Sequence, residues 1–122
     1  MTWAIKYLPE AQDDLESFNK STQITIKKAI KKVQQTPLPQ SENGYGKPLG
    51  RKHGKNLTNF LKIKLLREGI RIVYKLVRTE SQMLIVVIGI REDDEVYDIA
   101  EKRKNGRTFT NFKDPHTVGE LL

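Results

Sequence analysis

Three runs of alternating apolar and polar residues, Leu57 to Leu66, Ile70 to Arg78 and Met83 to Arg91, follow one another with only short turns between them. Each is rich in β-branched residues and long enough for a strand, so this part of the chain is committed to two consecutive antiparallel hairpins. The connections are Arg67-Glu68-Gly69 and Thr79-Glu80-Ser81-Gln82. Successive side chains point to opposite faces of a sheet, and a slip of one residue turns every one of them over, so the charges report the register. If Leu66 to Gly69 closes a tight turn with Lys64 opposite Arg71, then Leu61, Ile63 and Leu65 share a wholly apolar face with Ile70, Ile72, Tyr74 and Leu76. A three-residue loop with Gly69 as a bulge sets Arg71 beside Leu65 and Lys64 beside Ile72 instead, and neither face is then free of charge. Burying an unpaired lysine or arginine is costly, so the first register is expected. Carried into the third strand, the same reasoning puts Leu84, Val86, Ile88 and Ile90 on the apolar face. Lys62, Lys64, Arg71, Lys75 and, at a strand end, Arg91 then lie on the other face. Val73, Ile85 and Val87 join them there, so that face is mixed and is expected to be covered in part.

The segments before and after these strands read as one strand and three helices. Trp3, Ile5 and Tyr7 alternate in a first strand, and Pro9 suits the first position of a helix reaching to about Asn19, with Ala11, Leu15 and Phe18 at helical spacing. Ser21 or Thr22 is expected to cap a second helix with the stripe Ile26, Ala29, Ile30 and Val33, ended by Pro37 and Pro39. Lys27, Lys28, Lys31 and Lys32 fall largely off that stripe and read as a solvated face. Residues 38–56 read as loop, with a short strand near Lys47-Pro48-Leu49. After Glu92, Val96, Ile99 and Ala100 recur at helical spacing through about Lys104, and Asn105-Gly106 stops the helix. The expected fold is therefore α+β: a small twisted antiparallel sheet, two N-terminal helices on one face and a C-terminal helix, in the order β-α-α-β-β-β-α. Residues 1–104 form the domain and 105–122 a tail without clear periodicity.

The 122 residues contain no cysteine and two histidines far apart, His53 and His116, which leaves no metal-ligand spacing and no thiolate chemistry. No metal and no cofactor is expected. No apolar run approaches the length that spans a bilayer and no signal-peptide pattern opens the chain, so no membrane partner and a cytoplasmic location are expected. The formal charge of +7 is concentrated: between Tyr45 and Arg78 stand Lys47, Arg51, Lys52, Lys55, Lys62, Lys64, Arg67, Arg71, Lys75 and Arg78 against a single acid, Glu68. Like charges held close on one sheet face repel, and a polyphosphate would relieve that repulsion with release of counterions.

Phe60-Leu61-Lys62-Ile63-Lys64-Leu65, Gly69-Ile70-Arg71-Ile72-Val73-Tyr74 and Ile88-Gly89-Ile90-Arg91-Glu92-Asp93-Asp94-Glu95-Val96-Tyr97 together resemble the RelE branch of the RelE/ParE toxins of bacterial toxin–antitoxin modules. The resemblance spans roughly residues 3–104. It implies cleavage of mRNA in the ribosomal A site, with Lys62, Lys64, Arg71, Arg91 and Tyr97 as the active residues. The implied partners are a cognate antitoxin, the ribosome and its message, with operator DNA reached only through the antitoxin. Arg51, Lys52, Lys55 and Lys75 are the residues expected to contact RNA or the ribosome. The chain departs from the family in carrying Ile90 where members often have a basic residue, and in the acids Asp93 and Asp94.

Metal-independent cleavage of RNA requires that a 2′-OH lose its proton, that a phosphorane dianion be stabilised and that the 5′-oxygen be protonated as it leaves. Arg71 suits the phosphorane because its guanidinium is bidentate and stays charged, and Lys62 adds charge. Arg91 would support the leaving group. Lys64 and Tyr97 are competing candidates for the base, because neighbouring positive charge favours the deprotonated form of either, and Tyr97 is also suited to stack on a base. Two other functions are compatible with the same fold: a ParE-like inhibitor of DNA gyrase, and a non-catalytic nucleic-acid-binding protein or co-repressor.

Overall fold

Asn19 decides where the first two helices part. Its extended backbone takes it out of any helix, and its side chain accepts a 2.8 Å hydrogen bond from the Thr22 N–H. One of the donors left orphaned at a helix start is thereby satisfied. Helix α1 (Pro9–Glu16) thus stops short of the expected Asn19, and α2 (Lys20–Gln34) starts before the expected cap at Ser21 or Thr22. Pro9 opens α1, and Ala11 and Leu15 are its buried side chains. Helix α2 buries Ile26, Ile30 and Val33 and ends before Pro37, whose ring removes a backbone donor and restricts the residue ahead of it.

The computed structural model describes residues 3–50, 57–90 and 92–106. Five strands make one sheet: β1 (Ala4–Tyr7), β2 (Lys47–Gly50), β3 (Leu57–Leu65), β4 (Ile70–Val77) and β5 (Gln82–Gly89), in the spatial order β1-β5-β4-β3-β2. Helix α3 (Asp93–Lys104) follows. The expected element order holds, with the short strand at Lys47 present as β2. One edge differs from the antiparallel expectation, because β1 pairs parallel with β5, Ile5 beside Met83 and Tyr7 beside Ile85, and the sheet is mixed.

The β3–β4 hairpin has the expected register: Lys64 faces Arg71, Ile63 faces Ile72 and Leu61 faces Tyr74. Gly69 closes the turn at φ 69°, and its N–H donates to the Leu65 carbonyl at 2.8 Å. Without a Cβ, glycine adopts this left-handed conformation at no steric cost.

The β4–β5 pair departs from simple alternation. Val73 faces Val87 but Tyr74 faces Ile85, so Val86 is an extra residue on β5. This bulge exchanges the expected faces of two residues: Ile85 joins the apolar face with Tyr74, and Leu84 lies opposite Lys75 on the other. Both are buried, so the pattern of apolar residues alone gives no sign of the exchange.

The apolar face packs under the N-terminal helices. Ala29 and Val33 of α2 border the same groove as Ile63 and Leu65, and the Tyr74 hydroxyl donates a 2.7 Å hydrogen bond to the Pro37 carbonyl. Helix α3 touches β3, β4 and β5, and the Lys62–Tyr97 contact places it over the second face. Val73, Val87, Val96 and Ala100 are all buried there, so that face carries a second apolar layer rather than water. No helix among the described residues is long and apolar enough to cross a membrane.

Candidate active site

The hairpin register builds the site. Lys64 on β3 and Arg71 on β4 are direct cross-strand partners, so their side chains leave the same face with Cβ atoms about 5 Å apart. Both are partly exposed. Opposite Arg71 on β5 stands Gly89, which has no side chain. Lys62 lies two residues along β3 from Lys64, on the same face and about 7 Å away.

Lys62 and Tyr97 meet beneath α3. The Lys62 ammonium donates a 2.8 Å hydrogen bond to the Tyr97 hydroxyl and sits 5.4 Å from the centre of its ring. Lys62 is 7% exposed and Tyr97 2%. The sequence leads one to expect this face to be covered in part, and α3 is the element that covers it at Lys62, leaving that ammonium inside rather than at the surface. Tyr97 is likewise inside the protein, though bonded to the cluster to which it was assigned.

The remaining expected residues divide. Lys75 is on the same face, partly exposed, with its ammonium 5.3 Å from the Phe60 ring centre, but four residues along β4 from Arg71 and so about 13 Å away. Arg91, Arg51, Lys52 and Lys55 lie outside the described residues, as do His53 and the tail from residue 107. The structure therefore brings together Lys62, Lys64, Arg71 and Tyr97, and sets Lys75 apart from them. Among the described residues no group of three or more His, Cys, Asp or Glu side chains is placed to hold a metal ion.

Sequence reasoning missed the clamp that holds α3 over this face. Arg103 of α3 donates to Asp14 of α1 at 2.6 and 3.2 Å and to the Val86 carbonyl at 2.8 Å, while the Ile88 N–H donates to the same carboxylate at 3.0 Å. Val86 is the bulge residue, and beyond Tyr7 strand β1 no longer covers that edge of β5. The ion pair satisfies backbone groups that a longer β1 would have paired. An acid in the first helix and a base in the last, far apart in sequence, carry no local signal of each other.

A larger concavity, of about 430 Å³, lies at the other end of the sheet between Pro39, Pro48, Asn59, Leu76 and Arg78. It is mainly apolar, and Arg78 at its rim is paired with Glu42 at 2.8 Å, which holds the Glu42 carboxyl below its ordinary range. None of the clustered basic residues lines it.

No protein-family model matches the chain. In sequence it is 26% identical over 103 residues to an Escherichia coli protein described as a RelE-like toxin, covering 84% of this chain and 98% of that one. In fold it is similar to an E. coli RelE toxin mutant in the free state, with a TM-score of 0.67, 23% identity and coverage of 84% of this chain and 98% of that chain. It is also similar to the E. coli RelBE toxin–antitoxin complex, with TM-score 0.56, 19% identity and coverage of 74% and 98%. A RelBE toxin–antitoxin complex from Mycobacterium tuberculosis gives TM-score 0.59, 19% identity and coverage of 76% and 95%.

Proposed function

We propose that this chain is a toxin of the RelE family and the toxin of a toxin–antitoxin pair, a metal-independent endoribonuclease that cuts ribosome-bound mRNA through residues 1–104. The observation that carries the reading is the Lys64–Arg71 pair: two partly exposed cations on one face, in register, with a glycine opposite Arg71 on the next strand. The solved relatives that contain an antitoxin support a protein antitoxin as the partner.

In this reading Arg71 binds the scissile phosphate, its two parallel N–H groups matching the non-bridging oxygens as charge builds on the phosphorane. Lys64, its neighbour, takes the proton from the 2′-OH as the 2′-oxygen attacks. The 2′-oxygen then bonds to phosphorus and the 5′-oxygen leaves with a proton, for which Arg91 is the candidate donor. The products are a 2′,3′-cyclic phosphate and a 5′-hydroxyl. Lys62 and Tyr97 stand behind this pair, the ammonium contributing field through a short distance of protein rather than water. Tyr97 reaches a base or a 2′-OH only if α3 shifts off the sheet, because its ring is covered in the described conformation.

The test is Arg71→Ala. It should abolish growth arrest on induction and abolish cuts in translated message mapped by primer extension, with an unchanged thermal midpoint. A variant that still cuts would remove the guanidinium from the mechanism. Gyrase supercoiling assays on the purified protein separate the ParE-like alternative.

A further inference from the structure

A groove of about 320 Å³ runs along the sheet edge beside the candidate site, and the mechanism above leaves it unused. Its cations come from three elements: Lys32 of α2, Lys47 of β2, and Lys62 and Lys64 of β3. No acid is among its lining residues. Lys47 stands directly opposite Lys62, and the groove reaches Lys64, the cross-strand partner of Arg71. Tyr45 lines the same groove, 47% exposed, with the Lys32 ammonium 5.8 Å from its ring centre.

Lys32 was expected to be part of a solvated helix face; its place over Tyr45 gives it a different setting. The Lys62 ammonium is turned under α3 to Tyr97, which leaves Lys32, Lys47 and Lys64 as the groove's outer cations; they repel each other, and a phosphate backbone would relieve that repulsion while releasing its own counterions. A half-exposed aromatic ring beside such a track is the arrangement that holds single strands, whose bases are free to stack; in a duplex the bases stack on each other and the ring finds no partner.

We propose that this groove is a subsite for single-stranded RNA next to the scissile phosphate. One base stacks on Tyr45, and Lys32 and Lys47 hold the adjoining phosphates, so the strand is aligned before Lys64 and Arg71 engage it. The direction of the strand toward a scissile bond rests on the ribonuclease reading; binding in the groove does not.

The test uses the full chain and a 2′-O-methyl hexanucleotide, which cannot be cleaved, followed by fluorescence anisotropy over a range of salt. Tyr45→Ala should weaken binding about fivefold or more, and Tyr45→Trp should restore it. Lys32→Ala with Lys47→Ala should lower the slope of log affinity against log salt by about 1.4, the share of two phosphate contacts on a single strand. Thermal midpoints of all variants serve as the folding control. Unchanged affinity and slope in the variants, preference for a hairpin of the same composition, or no RNA binding by the wild type would each overturn the proposal. If these variants lose affinity as expected while the wild type cuts no translated message, the groove stands and the nuclease reading fails. If message is cut and the variants bind like wild type, the nuclease reading stands and the groove fails.

Discussion

The Lys62 ammonium donates a 2.8 Å hydrogen bond to the hydroxyl of Tyr97, in a place where neither residue is more than 7% exposed. A buried donor or acceptor that loses its partner carries its desolvation cost alone, whereas removing both partners together is close to neutral. Tyr97→Phe should therefore destabilise the fold by about 1–3 kcal/mol, and Lys62→Met by a similar amount, while the double variant returns to within about 1 kcal/mol of wild type. Urea unfolding of the four proteins checks this. Additive losses would mean that the contact contributes nothing specific.

The Asp14–Arg103 clamp makes a separable prediction. Its side chains are 21% and 19% exposed, so solvent screens the pair only in part. Arg103→Met should cost about 1–3 kcal/mol and speed hydrogen exchange throughout α3, because the arginine is the link from that helix to α1 and to the β5 bulge. Asp14→Ala should do the same and in addition expose the Ile88 amide, whose N–H bonds the carboxylate at 3.0 Å. Exchange at Ile88 that responds equally to both substitutions would contradict this division of roles.

Gly46 and Tyr74 are coupled by space. A Cβ placed on Gly46 would come within 2.4 Å of the Tyr74 hydroxyl oxygen, which is fully buried and held by the Pro37 carbonyl. Gly46→Ala should therefore destabilise by about 1–3 kcal/mol as the phenol is forced from its partner. Tyr74→Phe in the same chain should recover part of that loss, since it removes the clashing atom. Absence of any recovery would show that the nearby Leu61 Cβ, at 3.1 Å from the added atom, sets the cost instead.

Burial also makes Tyr74 a marker of alkaline stability. Desolvation pushes its phenol well above the ordinary tyrosine range, so the folded protein keeps it neutral where the unfolded chain ionises it. The contribution is complete below the unfolded value near pH 10 and is lost as pH rises from there toward the folded value. The loss is about 1.4 kcal/mol per pH unit. Comparing urea unfolding of wild type and Tyr74→Phe at successive pH values above 10 isolates this share from that of the lysines. Tyr7, whose phenol burial also raises, should add a smaller share in the same direction.

How much of the fold could be read in advance depended on whether the deciding interaction was local. The β3–β4 register followed from charge alternation, because one pairing alone kept Lys64 and Arg71 off the apolar face, and the structure has that pairing. Strand β2 and the end of α3 were likewise visible, from the Lys47-Pro48-Leu49 stretch and from Asn105-Gly106. The bulge at Val86 was not, because β5 is apolar on both faces and a shift of register there exposes no charge. The parallel pairing of β1 was not either, since a four-residue edge strand carries no mark of its neighbour.

The candidate site divides in the same way. Local sequence determined that Lys62, Lys64 and Arg71 share one face, because strand alternation and a short turn leave side chains no other choice. Tertiary packing decided that α3 lies over that face, that Lys62 and Tyr97 are joined inside the protein, and that Lys32, Tyr45 and Lys47 gather beside them. Those contacts join residues from different elements, and their positions depend on which surfaces bury apolar area against one another, a property of the assembled chain and of no segment within it.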